Sequence, residues 1–200
     1  MKSPLTVASG NAHKLREIGE ILGVPVRGMK DLPDPPELIE DGNSFEANAL
    51  IKARGLWDVL QDWTLADDSG LAVDALDGAP GIHSARYAGA HGDDEANNAL
   101  LLERLSQVEN RKAAFICVLA LCGPDGREWV IRGECRGIIT RKPSGTSGFG
   151  YDPLFIPDGY DRSFAELGDD IKSRISHRAQ ALQQLKDHPD NPLGMSADTA

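Results

Sequence analysis

The chain predicts an α/β fold with a mixed sheet, and three stretches carry that expectation. Leu5–Ala8 reads as a short buried strand running straight into a helical pattern, in which Leu15, Ile18 and Ile21 or Leu22 recur at helical spacing and Gly23 is a stop. Lys112–Cys122 and Glu128–Thr140 read as two long strands joined by Gly123-Pro124-Asp125-Gly126, a hairpin turn. Asp170–His188 carries Ile171, Ile175, Ala179, Leu182 and Leu185 on one side, which predicts a single closing helix. Strand followed by helix favours parallel pairing, whereas the hairpin excludes a purely parallel array.

The remaining elements follow from punctuation and periodicity. Val24–Met29 is a possible second strand, and the proline- and acid-rich stretch Asp31–Gly42 must be a loop. Asn43 or Ser44 can cap a helix reaching about Asp62, with Glu46 placed to answer as in a capping box and Phe45, Ala49, Ala53, Leu56 and Leu60 as its core stripe. Thr64–Asp67 and Leu71–Leu76 read as strands on either side of a turn at Asp68-Ser69-Gly70. Gly78-Ala79-Pro80-Gly81 breaks the chain before a helix over about Asp93–Ser106. With 200 residues, no internal repeat and no long linker, one domain over 1–188 is expected, with 189–200 as a loose tail.

Composition narrows the classes of function. A net charge of -10 argues against a broad nucleic-acid surface, and makes any anionic substrate dependent on local Lys and Arg and on a divalent cation. Cys117, Cys122 and Cys135 lack the paired spacing of a zinc site, and Cys117 lies in the apolar run Phe115–Leu121 as a core residue. No signal-peptide pattern opens the chain, and no apolar run approaches the roughly 18 residues of a membrane span, so a reducing, cytoplasmic setting without membrane partners is expected.

Three polar clusters stand out from this background. Ser9-Gly10-Asn11-Ala12-His13-Lys14 sits where a strand turns into a helix, and the unpaired N–H groups and dipole of a helix start favour phosphate there. Gly10 permits close approach, Ser9 and Asn11 offer donors, and Lys14 lies one turn in; the Walker pattern is absent. Asp67-Asp68-Ser69-Gly70 presents two adjacent carboxylates, which on a strand point to opposite faces, so one reaches the site and the other supports it. Magnesium takes one or two carboxylates plus waters and substrate phosphates, and Glu40 is a candidate second ligand.

The third cluster is Gly148-Phe149-Gly150-Tyr151-Asp152-Pro153 with Ser176-His177-Arg178 downstream. Phe149, between two glycines, offers a ring face on which a purine stacks for roughly 1–3 kcal/mol. Asp152 can accept from a ring N–H, while His177 and Arg178 can donate to a carbonyl at purine position 6. Taken singly, the clusters have plainer readings as a helix cap, a polar turn and a solvated helix face. Their co-occurrence points to the phosphate, metal and base ends of a magnesium nucleoside triphosphate.

At these residues the chain resembles the inosine triphosphate pyrophosphatase (Ham1-like) family. The matching pieces are Ser9-x-Asn11-x-x-Lys14, Ser44-Phe45-x-x-Asn48-Ala49-x-x-Lys52-Ala53 and Ala66-Asp67-Asp68-Ser69-Gly70-Leu71. They continue with Gly78-Ala79-Pro80-Gly81-Ile82-x-Ser84-Ala85-Arg86-Tyr87, Gly148-Phe149-Gly150-Tyr151-Asp152-Pro153 and Lys172-x-x-x-Ser176-His177-Arg178, in the family's order. Ser9 stands where threonine is commoner, and Ala12 and His13 fall at variable positions of the nucleotide-binding segment.

The resemblance implies an elongated two-lobed fold with a central mixed sheet, a nucleotide cleft between the lobes, and a homodimer. It implies magnesium-dependent hydrolysis of ITP, dITP and XTP to the monophosphate and pyrophosphate. Lys14, Lys52 and Lys172 are then candidates for neutralising phosphate oxygens, and Asp68 for orienting or deprotonating the attacking water while contacting the metal with Glu40. Ser69 contacts substrate or supports the acidic turn. Phe149, Asp152, His177 and Arg178 hold the base, and Gly150 and Tyr151 are further substrate-binding candidates. Alternatives are a Maf-type pyrophosphatase acting on pyrimidine or modified nucleotides, and a nucleotide-binding regulator without catalysis.

Overall fold

Six strands form one sheet: β1 (Leu5–Val7), β2 (Val26–Arg27), β3 (Thr64–Val73), β4 (Lys112–Cys122), β5 (Glu128–Ile139) and β6 (Phe155–Pro157). In this computed structural model, which describes residues 4–190 and 192–194, their order is β2-β1-β3-β4-β5-β6. β1 runs parallel to β2 and to β3, with Thr6 opposite Arg27 and Thr64, and β6 is antiparallel to β5, so the sheet is mixed as expected. The helices are α1 (Ala12–Leu22), α2 (Phe45–Leu60), α3 (Asp94–Arg104), α4 (Phe164–Leu167), α5 (Asp169–Ile175) and α6 (His177–Lys186).

The chain divides into two compact units. Unit 1 comprises the described parts of Met1–Asp68, Cys117–Gly133 and Arg178–Ala200; unit 2 comprises Ser69–Ile116 and Glu134–His177. β3, β4 and β5 each supply residues to both. Unit 1 has its own core, in which Leu5, Ile18, Leu65, Leu119 and Leu182 meet. Unit 2 has another, built on Leu71, Leu101, Leu154 and the aromatic group Phe115, Phe155 and Phe164. Fully burying one such side chain contributes about 1.5–3 kcal/mol, which is what holds each strand and helix in register.

Several local expectations hold for the reasons given. Asn11 caps α1 and Gly23 ends it at φ 68°, a left-handed value that suits glycine. Ser44 caps α2 by accepting from Ala47 N. The β4–β5 turn closes through Gly126 N donating to Gly123 O at 2.9 Å.

Others are corrected. Asp68-Ser69-Gly70 is not a turn: β3 runs unbroken through it. Local turn chemistry loses because β3 lies between β1 and β4 in the ladder, and Gly70 serves a different need. A Cβ there would sit 2.4 Å from the Gly81 carbonyl and from Ser84 Oγ, so the absent side chain admits the 3-10 segment Gly81–Arg86. Glu46 forms no capping box but pairs with Arg132 at 2.8 Å. The second strand shrinks to Val26–Arg27.

The expected closing helix is two, broken at Ser176, whose ψ of 161° is extended. Ile175 packs with the unit 2 core, whereas Ala181, Leu182 and Leu185 pack in unit 1. The apolar stripe continues across the break, which is why periodicity cannot see it. The tail is also held further than expected: Trp129 Nε1 donates to Asp190 at 3.1 Å and Leu193 is buried in the unit 1 core. The rest of the tail prediction, at residues 191 and 195–200, lies outside the described residues.

Candidate active site

The strand-to-helix turn at the start of the chain is only partly the anion cradle expected. Asn11 Oδ1 accepts from the amides of His13 and Lys14 at 2.9 and 3.3 Å, and Ser9 Oγ accepts from Asn11 N at 3.2 Å. Two of the helix-start N–H groups are therefore already partnered by the cap. Gly10, Asn11, Ala12 and His13 are exposed, and Ser9 and Lys14 are half-buried.

Lys14 leads inward to the acidic pair on β3. Its ammonium lies 2.7 Å from Asp67 Oδ1. Asp67 is buried, and accepts also from Arg178 Nε at 2.7 Å and from the Cys117 thiol at 3.3 Å. Arg178 in turn pairs with Glu17 of α1. Burial alone would raise the Asp67 pKa, but the charges of Arg178 and Lys14 outweigh it and hold the carboxyl well below its ordinary value. Burial and the Asp67 charge together push the Cys117 thiol well up.

Asp68 takes the opposite face, as strand alternation requires. Its Oδ1 accepts from Lys52 of α2 at 2.9 Å, and Lys52 also meets Glu40 at 3.0 Å. Asp68 Oδ2 is buried and receives no hydrogen bond among the described residues. Burial, opposed by Lys52 but reinforced by the Glu40 charge, raises the Asp68 pKa. For Glu40 burial is outweighed by the Lys52 charge and hydrogen bond and by a hydrogen bond with Asp68, so its pKa is lowered. Burial disfavours the Lys52 charge, but Asp68 and Glu40 overcome it and raise that pKa. Burial thus moves one carboxyl of the cluster up while Lys52 holds the other down.

All of these residues belong to unit 1. In unit 2, Gly148, Phe149, Gly150, Tyr151 and Asp152 form a loop leading into β6. Asp152 is buried and its Oδ2 accepts from Phe149 N at 2.9 Å and from Lys172 Nζ at 2.7 Å. The Lys172 ammonium also sits 4.3 Å from the centre of the Phe149 ring. His177 stacks on Phe115, with ring centres 4.8 Å apart and planes 13° apart. Ser69 is half-buried on β3 beside Asp68.

Two residues make contacts within the fold that the sequence did not name. Lys172, expected among the phosphate lysines, belongs to the Phe149–Asp152 cluster, because α5 places its ammonium on Asp152. Arg178, expected to donate to a base carbonyl, makes its bonds here to Asp67 and Glu17 with the phosphate-end residues. Glu17 escaped the sequence reading, although it falls three residues after Lys14 on the same helix face, which was the signal available.

Comparison with known proteins now settles the family. The Ham1 family model matches residues 5–188. The chain belongs to the Ham1 family. It is 51% identical over 189 residues to the dITP/XTP pyrophosphatase of Geobacter sulfurreducens, covering 92% of this chain and 95% of that one. Its fold superposes on the Staphylococcus aureus Ham1 protein with a TM-score of 0.85 at 38% identity, covering 94% of this chain and 98% of the other. A Mycobacterium abscessus nucleoside-triphosphatase, also described as a dITP/XTP pyrophosphatase, aligns at TM-score 0.75 and 49% identity, covering 92% of this chain and 98% of that structure. The polar clusters thus lie in a Ham1 protein, not in a Maf-type one.

Proposed function

We propose that this Ham1 protein hydrolyses non-standard purine nucleoside triphosphates, namely ITP, dITP and XTP, to the monophosphate and pyrophosphate. The observation that carries the chemistry is Asp68, a buried carboxyl held by Lys52, which also meets Glu40. Its Oδ2 accepts no hydrogen bond among the described residues, and burial raises its pKa. A general base works best when its pKa moves towards the working pH, and burial moves Asp68 that way. Asp68 accepts the proton of the attacking water as its oxygen bonds to the α-phosphorus. The bond from that phosphorus to the bridging oxygen breaks, and pyrophosphate leaves.

Magnesium fits this site. Glu40 and Asp68 Oδ2 are hard oxygen donors, and a nearby dication would offset the burial and the Glu40 charge that raise the Asp68 pKa. These two residues would hold it, and when bound it supplies Lewis-acid stabilisation of the phosphate oxygens. Lys14 and Lys52 meet the remaining phosphate charge, and Arg178, Asp67 and Glu17 fix Lys14 in place behind them. Ser9 and Asn11 shape the turn beneath.

Recognition of the base falls to unit 2. Phe149 offers stacking surface, and Lys172, poised over that ring, brings positive donors suited to a 6-oxo group. Adenine presents an amino group there, and donor would face donor. The same reading extends to a homodimer in a reducing, cytoplasmic setting, which agrees with three free, buried thiols. Light scattering on the purified chain tests the dimer.

Pyrophosphate release from ITP, dITP, XTP and ATP, with and without EDTA, tests the function. Turnover of the first three at rates well above ATP, abolished by EDTA, is expected. Equal turnover of ATP, or full activity in EDTA, would refute the proposal.

A further inference from the structure

The loop carrying Phe149 is soft by construction. Gly148 and Gly150 flank the ring at φ +80° and +62°, left-handed values at which glycine has no steric penalty and little to hold it. A stacking ring on such a hinge would lose its orientation unless the backbone were gripped from outside.

Helix α3 provides the grip. Gly150 N donates to Asp94 Oδ2 at 2.6 Å, and Asn98 Nδ2 donates to Gly150 O at 2.9 Å. Asp94 and Asn98 are four residues apart, so they project from one face of the helix. Asp93 already performs the capping by accepting from Ala96 N at 3.0 Å, which leaves Asp94 to reach the loop. The next residue is anchored as well: the Tyr151 hydroxyl donates to Ser84 O at 2.9 Å. On the other side, Phe149 N is held by Asp152.

Asn98 supplies an independent sign that the grip is the purpose of the position. Its Oδ1 is buried with no hydrogen-bond partner among the described residues, a cost that an apolar side chain would avoid. What the amide contributes is the bond from Nδ2 to Gly150.

We infer that Asp94 and Asn98 are positioning residues for base recognition: they clamp both polar groups of Gly150 and thereby aim Phe149. This rests on the proposed reading of unit 2 as the base-recognising part. Asp94 and Asn98 belong to unit 2, whereas the phosphate-end residues named above belong to unit 1. Loosening the clamp should therefore weaken the hold on the base while leaving the hold on phosphates intact.

The test compares Asp94→Ala, Asp94→Asn and Asn98→Ala with the wild-type enzyme in steady-state ITP hydrolysis, with inorganic tripolyphosphate as a competitive inhibitor that lacks a base. Asp94→Ala should raise KM for ITP roughly tenfold, the size of one lost charge-assisted hydrogen bond, with kcat within about twofold. Its inhibition constant for tripolyphosphate should not move. Asp94→Asn, which keeps an acceptor oxygen, should recover most of the loss, and Asn98→Ala should raise KM about threefold. An unchanged KM in both alanine variants overturns the inference, as does a tripolyphosphate constant that rises in step with KM. If Asp94→Ala does not fold, Asn98→Ala, which removes one donor, carries the same two readouts. A wild-type enzyme that releases no pyrophosphate from ITP would instead sink the functional reading and this inference with it.

Discussion

Asp67→Asn isolates the electrostatic support beneath the acidic pair. The Asp67 side chain is 0% exposed and Arg178 is 1% exposed, and they meet at 2.7 Å. Asparagine preserves the shape but removes the charge and turns one acceptor into a donor facing Arg178 Nε or Lys14 Nζ. Breaking a buried ion pair by deleting one partner costs about 3–5 kcal/mol. The lower end applies, because Arg178 keeps Glu17 and Lys14 keeps a long contact to the Asp67 carbonyl at 3.4 Å. With a urea m-value of about 2–3 kcal/mol/M for a chain of this size, a loss of about 3 kcal/mol moves the unfolding midpoint down by about 1–1.5 M.

The sign of the pH dependence follows from the direction of the shift. The folded pKa of Asp67 is depressed below its unfolded value of 3.8, so its stabilisation is complete above that value and is lost as pH falls through the folded pKa. The gap between wild type and Asp67→Asn should be full at pH 7 and shrink below about pH 4. Urea melts at pH 7, 5, 4 and 3 read this directly. A deficit under about 1 kcal/mol at neutral pH, or one that stays constant into acid, would refute the reasoning.

Asp68→Asn should cut kcat by at least about a hundredfold while leaving the dissociation constant for ITP nearly unchanged. Because the folded pKa of Asp68 is raised, its ionised form opposes folding at neutral pH, so the same variant should melt at or above the wild-type temperature; a marked drop in melting temperature contradicts that sign. Glu40→Gln should raise the magnesium concentration for half-maximal rate about tenfold, measured by titrating the metal at saturating ITP, and an unshifted curve removes Glu40 from the metal site. Gly70→Ala should destabilise by about 2 kcal/mol or more, since its Cβ must displace a backbone carbonyl and a buried hydroxyl; an unaltered denaturation midpoint would show that the 3-10 segment yields freely.

Where a feature was legible in the chain, its cause was local. Asn11 and Ser44 cap because a short polar side chain before an apolar repeat reaches its own helix start, and Gly23 and Gly126 adopt left-handed φ values at their predicted breaks. The division of labour between Asp67 and Asp68 follows from strand alternation alone. Features with distant causes were misread. Asp-Asp-Ser-Gly has turn chemistry, yet ladder partners far away in sequence keep it extended. The stripe from Ile171 to Leu185 looks continuous because both halves face apolar cores, and nothing in its period records that the cores differ. The ion pairs of Lys172 and Arg178 are equally invisible in the sequence: a long cation takes whichever carboxylate the fold brings within reach, here Asp152 for one and Asp67 for the other. The positions of Glu17, Asp94 and Asn98 in the site are likewise properties of the folded chain.

The seclusion of the thiols has a practical corollary. Burial pushes the Cys122 pKa up to about 11 and that of Cys135 up to about 12, and burial with the Asp67 charge pushes Cys117 well up as well. At pH 7 the thiolate of Cys122 is then about one part in ten thousand, and thiolate is the form that alkylating agents and peroxide attack. The native protein should store without reductant and shrug off iodoacetamide, with modification appearing only once denaturant opens the fold.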